Sequence, residues 1–118
     1  LKTILLLDDD PMIHEIVRSI IDLSFFNLKY AITVEEARNF LREEDVKFVI
    51  CDLFLNGDLG DELSNGFIRE HVKVLGIPYC RLTSAPRLVP EDCVGLRIID
   101  KRNVYNDTSL LLDLLKDI

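Results

Sequence analysis

Asp8, Asp9, Asp52, Thr83, Ser84 and Lys101 are the residues of this 118-residue chain whose types and spacing could do chemistry together. Each directly follows or closes a short apolar run: Leu5-Leu6-Leu7 precedes Asp8-Asp9-Asp10, Val49-Ile50-Cys51 precedes Asp52, Leu82 precedes Thr83-Ser84, and Ile98-Ile99 precedes Asp100-Lys101. If these runs are neighbouring strands, three or four carboxylates converge at one end of a sheet. Two such charges at ~4 Å repel by about 4 kcal/mol at an effective dielectric of roughly 20, so the cluster needs positive charge to stay ionised. Lys101 supplies one unit, and a divalent cation would supply the rest. An open site of a few oxygen donors suits Mg²⁺ (or Mn²⁺) better than Zn²⁺. The site also lacks the two nearby His or Cys ligands that zinc would ask for.

The bland explanations cover some of these residues. Asp10 before Pro11 is accounted for as a helix N-cap followed by the first helical position, and it is given no chemical role. An Asp after an apolar strand is also a common turn residue. Four strand ends that each carry a chemically apt residue are much harder to reach by chance.

The elements that must position these groups follow from the hydropathy pattern. Thr3 to Leu7 is a continuous apolar run, too short for a helix and right for a strand covered on both faces. Ile13, Ile16, Val17 and Ile20 recur at helical spacing behind the Asp10 cap. Leu28 to Ile32 is a weaker strand. Thr33 and Glu36, three apart, form a capping box that opens a helix through Ala37, Phe40 and Leu41. Val46 to Cys51 is the third strand. A loop rich in Gly, Asp and Asn is expected from Leu53 to Gly66, then a short helix from Phe67 to Leu75 closed by Gly76. Tyr79 to Leu82 and Leu96 to Ile99 are the last two strands. Between them Ala85 to Gly95 carries two prolines and a glycine, which leaves room for a turn or two of helix. Asn106 or Asp107 caps a final helix whose Leu110, Leu111, Leu114, Leu115 and Ile118 face inward.

Strand alternating with helix five times implies a parallel sheet with right-handed crossovers and helices on both faces. Ligands of such folds sit at the carboxyl ends of the strands, which is where the acidic residues and Lys101 lie.

Composition narrows the function classes. With 48% apolar and 30% charged residues the chain is globular, and its length suits a single domain spanning residues 1–118. A net charge of −7, from 21 acidic and 14 basic side chains, weighs against gripping a phosphate backbone directly. Membrane association is not expected: no apolar run approaches the ~20 residues of a span, and the start lacks a signal-peptide pattern. Cys51 and Cys80 lie in apolar strands and Cys93 in the loop region; without a C-x-x-C spacing they read as free thiols of a reducing cytoplasm.

The chain resembles the receiver domains of bacterial two-component response regulators over essentially its whole length. The resemblance rests on Leu5-Leu6-Leu7-Asp8-Asp9-Asp10-Pro11, Val49-Ile50-Cys51-Asp52-Leu53-Phe54-Leu55, Leu82-Thr83-Ser84-Ala85 and Ile98-Ile99-Asp100-Lys101. It implies a flavodoxin-like, doubly wound α/β fold with strand order 2-1-3-4-5 and a shortened or irregular fourth helix. It makes Asp52 the phosphoacceptor for a sensor histidine kinase or phosphotransfer protein. Asp9, Asp52 and the backbone carbonyl of Phe54 would hold Mg²⁺, with Asp8 acting mainly through a metal-bound water. Lys101 and Thr83 would contact phosphoryl oxygens, and movement of Thr83 would pass the signal to an effector domain or downstream protein. Such a chain catalyses its own phosphorylation and dephosphorylation but is primarily a switch. Phe54 would also shield the acyl phosphate from water.

Five features depart from the family pattern. Asn56 stands where Pro is usual, Arg102 where a cis Pro follows the Lys, Ser84 where Ala is usual, and Ile98 where a switch aromatic is usual. Thr83 and Lys101 are only 18 positions apart, short for a full fourth helix with its loops. These departures support an alternative, a degenerate receiver acting as a phosphorylation-independent interaction module. A third reading, a Mg²⁺-dependent phosphohydrolase, rests only on the D-x-D spacing inside Asp8-Asp9-Asp10. Asp58, Asp61 and Glu62 read as a solvated acidic loop, and His14 and His71 as surface or partner-facing.

Overall fold

A computed structural model describes residues 1–53, 55, 62–84, 98–101, 109–116 and 118. Five strands, β1 (Lys2–Leu7), β2 (Phe26–Ala31), β3 (Val46–Asp52), β4 (Tyr79–Thr83) and β5 (Ile98–Asp100), form one sheet in the order β2-β1-β3-β4-β5, all pairs parallel. The described helices are α1 (Pro11–Ile20), α2 (Val34–Glu43), α3 (Glu62–Phe67) and α4 (Ser109–Leu115).

The alternation within each strand explains the unbroken apolar runs. Ile4, Leu6, Phe48, Ile50, Cys80, Leu82 and Ile99 face one side, where Ile13 and Val17 of α1 and Leu111 and Leu115 of α4 cover them. Leu5, Leu7, Val49 and Cys51 face the other side, against Ala37 of α2, Phe67 of α3 and Ile68 and Val72 beyond it. Strands covered on both faces are apolar along most of their length, and each fully buried aliphatic side chain contributes roughly 1.5–3 kcal/mol.

The helix starts follow the capping chemistry. Met12 N donates to Asp10 Oδ1 at 2.9 Å, with Pro11 in the first helical turn. Glu36 N donates to Thr33 Oγ1 at 3.2 Å, and the Thr33 hydroxyl lies 3.4 Å from Glu36 Oε1, so the Glu36 carboxylate meets the cap hydroxyl rather than the cap N–H. In α1, Ile13 and Val17 are buried while Ile16 and Ile20 pack at the margin of the core.

Two sequence expectations are corrected. Strand β2 runs Phe26–Ala31 rather than Leu28 to Ile32, and Ile32 is exposed beyond its end. The expected loop through Gly66 ends early: α3 begins at Glu62, five residues before the expected Phe67. It then widens into a π-helical turn over Ile68–Val72, where Lys73 N reaches Ile68 O at 2.8 Å. Gly76, with φ of 68°, closes the segment in the left-handed conformation that favours glycine. The region from 85 to 97, including the expected short fourth helix and Cys93, lies outside the described residues, as do the Asn106 or Asp107 cap and the Leu110 side chain.

Candidate functional site

Sheet register brings the acidic residues together. Leu7 pairs with Cys51 across β1 and β3, so Asp8 and Asp52, one residue further along each strand, arrive at the same level. Leu82 pairs with Asp52, and Thr83 with Asp100, which brings the ends of β4 and β5 alongside. Asp8, Asp52 and Thr83 are all buried, and Lys101 is half-buried at the rim.

Local hydrogen bonds fix the ends of β1 and β3. Asp8 N donates to Ala31 O at 3.1 Å, and Asp10 N folds back to Asp8 Oδ1 at 2.9 Å. One triplet thus serves two purposes: Asp8 turns inward under the Asp10 amide while Asp10 caps α1. On β3, Leu53 N donates to Leu82 O at 2.8 Å just past Asp52.

Lys101 Nζ lies 3.0 Å from Asp8 Oδ2 and 3.3 Å from Asp52 Oδ1, bridging the two carboxylates. Burial pushes the Asp8 carboxyl above the ordinary carboxylate value, although the Asp10 amide and Lys101 oppose the rise. Burial alone would pull the Lys101 ammonium down, but Asp52 and Asp8 together outweigh it and hold it above the usual lysine value. One ammonium thus serves two buried carboxylates, with Asp9 adding a third acidic group at the rim.

The residues present fit a divalent cation. One carboxylate oxygen from each of Asp8, Asp9 and Asp52 falls within a 4.8 Å cluster. Asp8 Oδ2 is buried, and the Lys101 ammonium at 3.0 Å is the positive charge that faces it. An all-oxygen donor set of this kind suits a hard ion such as Mg²⁺. Phe54, whose carbonyl was the expected further ligand, lies outside the described residues, as do Asn56, Asp58, Asp61, the Glu62 side chain and the Lys101–Arg102 bond. Ser84 is exposed directly after Thr83.

Three features nearby were not foreseen. Tyr30, at the end of β2, stacks on His14 of α1 with ring centroids 4.3 Å apart and planes 7° from parallel. His14 is therefore half-buried against a ring rather than standing free. The Tyr30 hydroxyl is buried, and its acidity is suppressed first by burial and then by Asp8, Asp10 and Asp9. Arg81, in the middle of β4, is completely buried beneath α3. The signal for it was present: a charged residue inside the apolar run Tyr79-Cys80-Arg81-Leu82 must be buried if the strand is interior. His71 tilts against Phe67 at 6.0 Å, away from the acidic cluster. Burial raises the Cys51 thiol to about 12, so it stays an inert apolar group beside Asp52.

Comparison with known proteins matches the fold to one class. No family model matches the chain, and no curated protein matches it. Among solved structures, the HemR receiver domain from Leptospira biflexa superposes with a TM-score of 0.71 at 22% identity, covering 100% of this chain and 97% of that one. The receiver domain of the PhyR response regulator from Erythrobacter litoralis gives a TM-score of 0.76 at 16% identity, covering 97% and 89%. A CheY-like receiver domain protein from Methanospirillum hungatei gives 0.65 at 19%, covering 96% and 94%. The chain has the CheY-like fold of response-regulator receiver domains. Among the described residues no helix is long and apolar enough to cross a membrane.

Proposed function

We propose that this chain is a phosphoacceptor receiver domain, with Asp52 as the nucleophile. The observation that carries the reading is Lys101 bridging Asp8 and Asp52 in a cluster that also contains Asp9. In the reaction, an Asp52 carboxylate oxygen attacks the phosphorus of a phosphohistidine on a histidine kinase or phosphotransfer protein. The P–N bond breaks, the imidazole leaves, and Asp52 becomes an acyl phosphate. Asp8, Asp9 and Asp52 would hold Mg²⁺, which would supply positive charge to offset that on the transferring phosphoryl oxygens.

The chain's own groups do the rest. Lys101 is already within reach of Asp52, so it meets a phosphoryl oxygen by a small shift and keeps its contact with Asp8. The Thr83 hydroxyl, at the next strand end, donates to another phosphoryl oxygen, and its movement toward the phosphate starts the signal. The partners are a phosphodonor protein on the input side and an effector domain or downstream protein on the output side, in a cytoplasmic two-component pathway. A second reading, a receiver that binds partners without phosphorylation, draws on Ile98, half-buried in β5 where the switch aromatic is usual.

Beryllofluoride, a stable mimic of the acyl phosphate, separates the two. Fluorine NMR is expected to show a protein-bound beryllofluoride signal that needs both Mg²⁺ and Asp52. A folded chain with no bound signal at saturating Mg²⁺ would leave the interaction-module reading.

A further inference from the structure

Arg81 is 1% exposed and sits mid-strand in β4, on the side of the sheet covered by α3. Among the described residues its guanidinium has no carboxylate partner. Nη1 donates to Asn65 Oδ1 at 2.9 Å and Nη2 to Ser64 Oγ at 2.6 Å, while Nε has no acceptor. A guanidinium buried without a counter-ion is costly, and Met or Leu would fill the same volume without that cost. The charge must therefore do something that volume does not.

The donor inventory shows what it does. Arginine only donates, so the face of the Ser64 hydroxyl that meets Arg81 must be a lone pair. The single hydroxyl proton is thereby directed away, and it goes to Leu53 O at 2.5 Å. The Leu53 N–H is separately held by Leu82 O at 2.8 Å. Two consecutive peptide groups leaving Asp52 are thus pinned, one by strand pairing with β4 and one by a hydroxyl that Arg81 orients. In a low-dielectric interior such a chain of donors polarises link by link.

We infer that Arg81 is a positioning residue for the cation site, fixing the backbone that leaves Asp52 through the Ser64 hydroxyl and the Leu53 carbonyl. This inference rests on the acidic cluster being a Mg²⁺ site, as proposed above. It assigns to a buried arginine in β4 a role in ion affinity that does not need contact with the ion.

The test is Mg²⁺ titration by calorimetry on the full chain, alongside Ser64→Ala, Arg81→Met and the double variant, with unfolding midpoints measured without metal. Each single change is expected to weaken Mg²⁺ binding about tenfold, the scale for partners that orient metal ligands. The double variant is expected to be no weaker than the single ones, because both act on one relay. Ile13→Val, a core change remote from the relay, is expected to lower the midpoint without moving Mg²⁺ affinity. Wild-type Mg²⁺ affinity in folded Ser64→Ala and Arg81→Met would overturn the inference and leave Arg81 a purely structural anchor. If Arg81→Met does not fold, Ser64→Ala still decides, since it removes only the hydroxyl. A wild-type chain that binds no Mg²⁺ would overturn the cation-site reading itself, a result distinct from loss confined to the relay variants.

Discussion

Charge at the strand ends is unevenly shared. Asp8 is wholly buried, Asp52 nearly so, and Lys101 is the cation shared between them. Removing that ammonium leaves two buried carboxylates facing each other, a loss of about 3 kcal/mol on the usual scale for breaking a buried pair. Lys101→Met is therefore expected to unfold at lower urea than the parent at pH 7. The sign of the pH dependence follows from Asp8, whose folded value lies above its ordinary 3.8. The stability that goes with a neutral Asp8 is fully present below 3.8 and is lost as pH rises through the folded value. Without Lys101 that value moves higher still, so the deficit opens with rising pH and narrows on acidification toward pH 4. The Lys101 contribution in the parent persists to above 10.5 and is lost as pH rises through its own raised value. Urea titrations at pH 4 and pH 7 check this, and a deficit of equal size at both would show that the charge pair is not its source. The same substitution is expected to tighten Mg²⁺ binding, because the ion then meets more uncompensated negative charge.

At the scale of elements, the helix starts carry energies that can be read singly. Thr33 donates no apolar surface to the core, yet its oxygen receives the Glu36 amide at the start of α2. Thr33→Ala is expected to lower stability by about 1 kcal/mol, the usual cost of losing an N-cap, without altering beryllofluoride or Mg²⁺ binding. Denaturant unfolding measures the first part and titration the second; a change in ion binding would mean that α2 reports to the site. These caps were legible in the sequence because a cap is a local chemical event, decided within three or four residues. The strands were legible for a different reason: burial on both faces makes them runs of apolar residues, broken inside β4 by the buried Arg81. The start of α3 was not legible. Leu63-Ser64-Asn65-Gly66 reads as turn composition, and glycine in a helix costs about 1 kcal/mol relative to alanine. What makes the segment helical is distant in sequence, since Ser64 and Asn65 bond Arg81 and Ser64 also bonds Leu53. Tertiary contacts override local preference there, and no window along the chain contains both halves of the contact.

For the whole molecule, the order β2-β1-β3-β4-β5 is what converts scattered residues into a site. Asp8 and Asp52 are 44 positions apart in the sequence, and Lys101 lies a further 49 along. Parallel pairing of β1 with β3, β3 with β4 and β4 with β5 delivers all of them to one edge. The strand-end residues were readable as a set because a parallel sheet has only one carboxyl edge. Their burial was not readable, because burial depends on which helix covers which strand; for Arg81 the charge inside an apolar run was readable, but its partners Ser64 and Asn65 were not. Bound Mg²⁺ should stabilise the native chain by mass action, by about 2.7 kcal/mol when free ion is roughly a hundredfold over its dissociation constant. The decisive property of the assembled site is whether it accepts a phosphoryl group. The most direct measurement is intact mass after incubation with acetyl phosphate, with and without Mg²⁺, for the parent chain and Asp52→Ala. One added phosphoryl group that requires both Mg²⁺ and Asp52 is the predicted result. A folded parent chain that gains no mass under any condition, or an adduct that survives in Asp52→Ala, would contradict it.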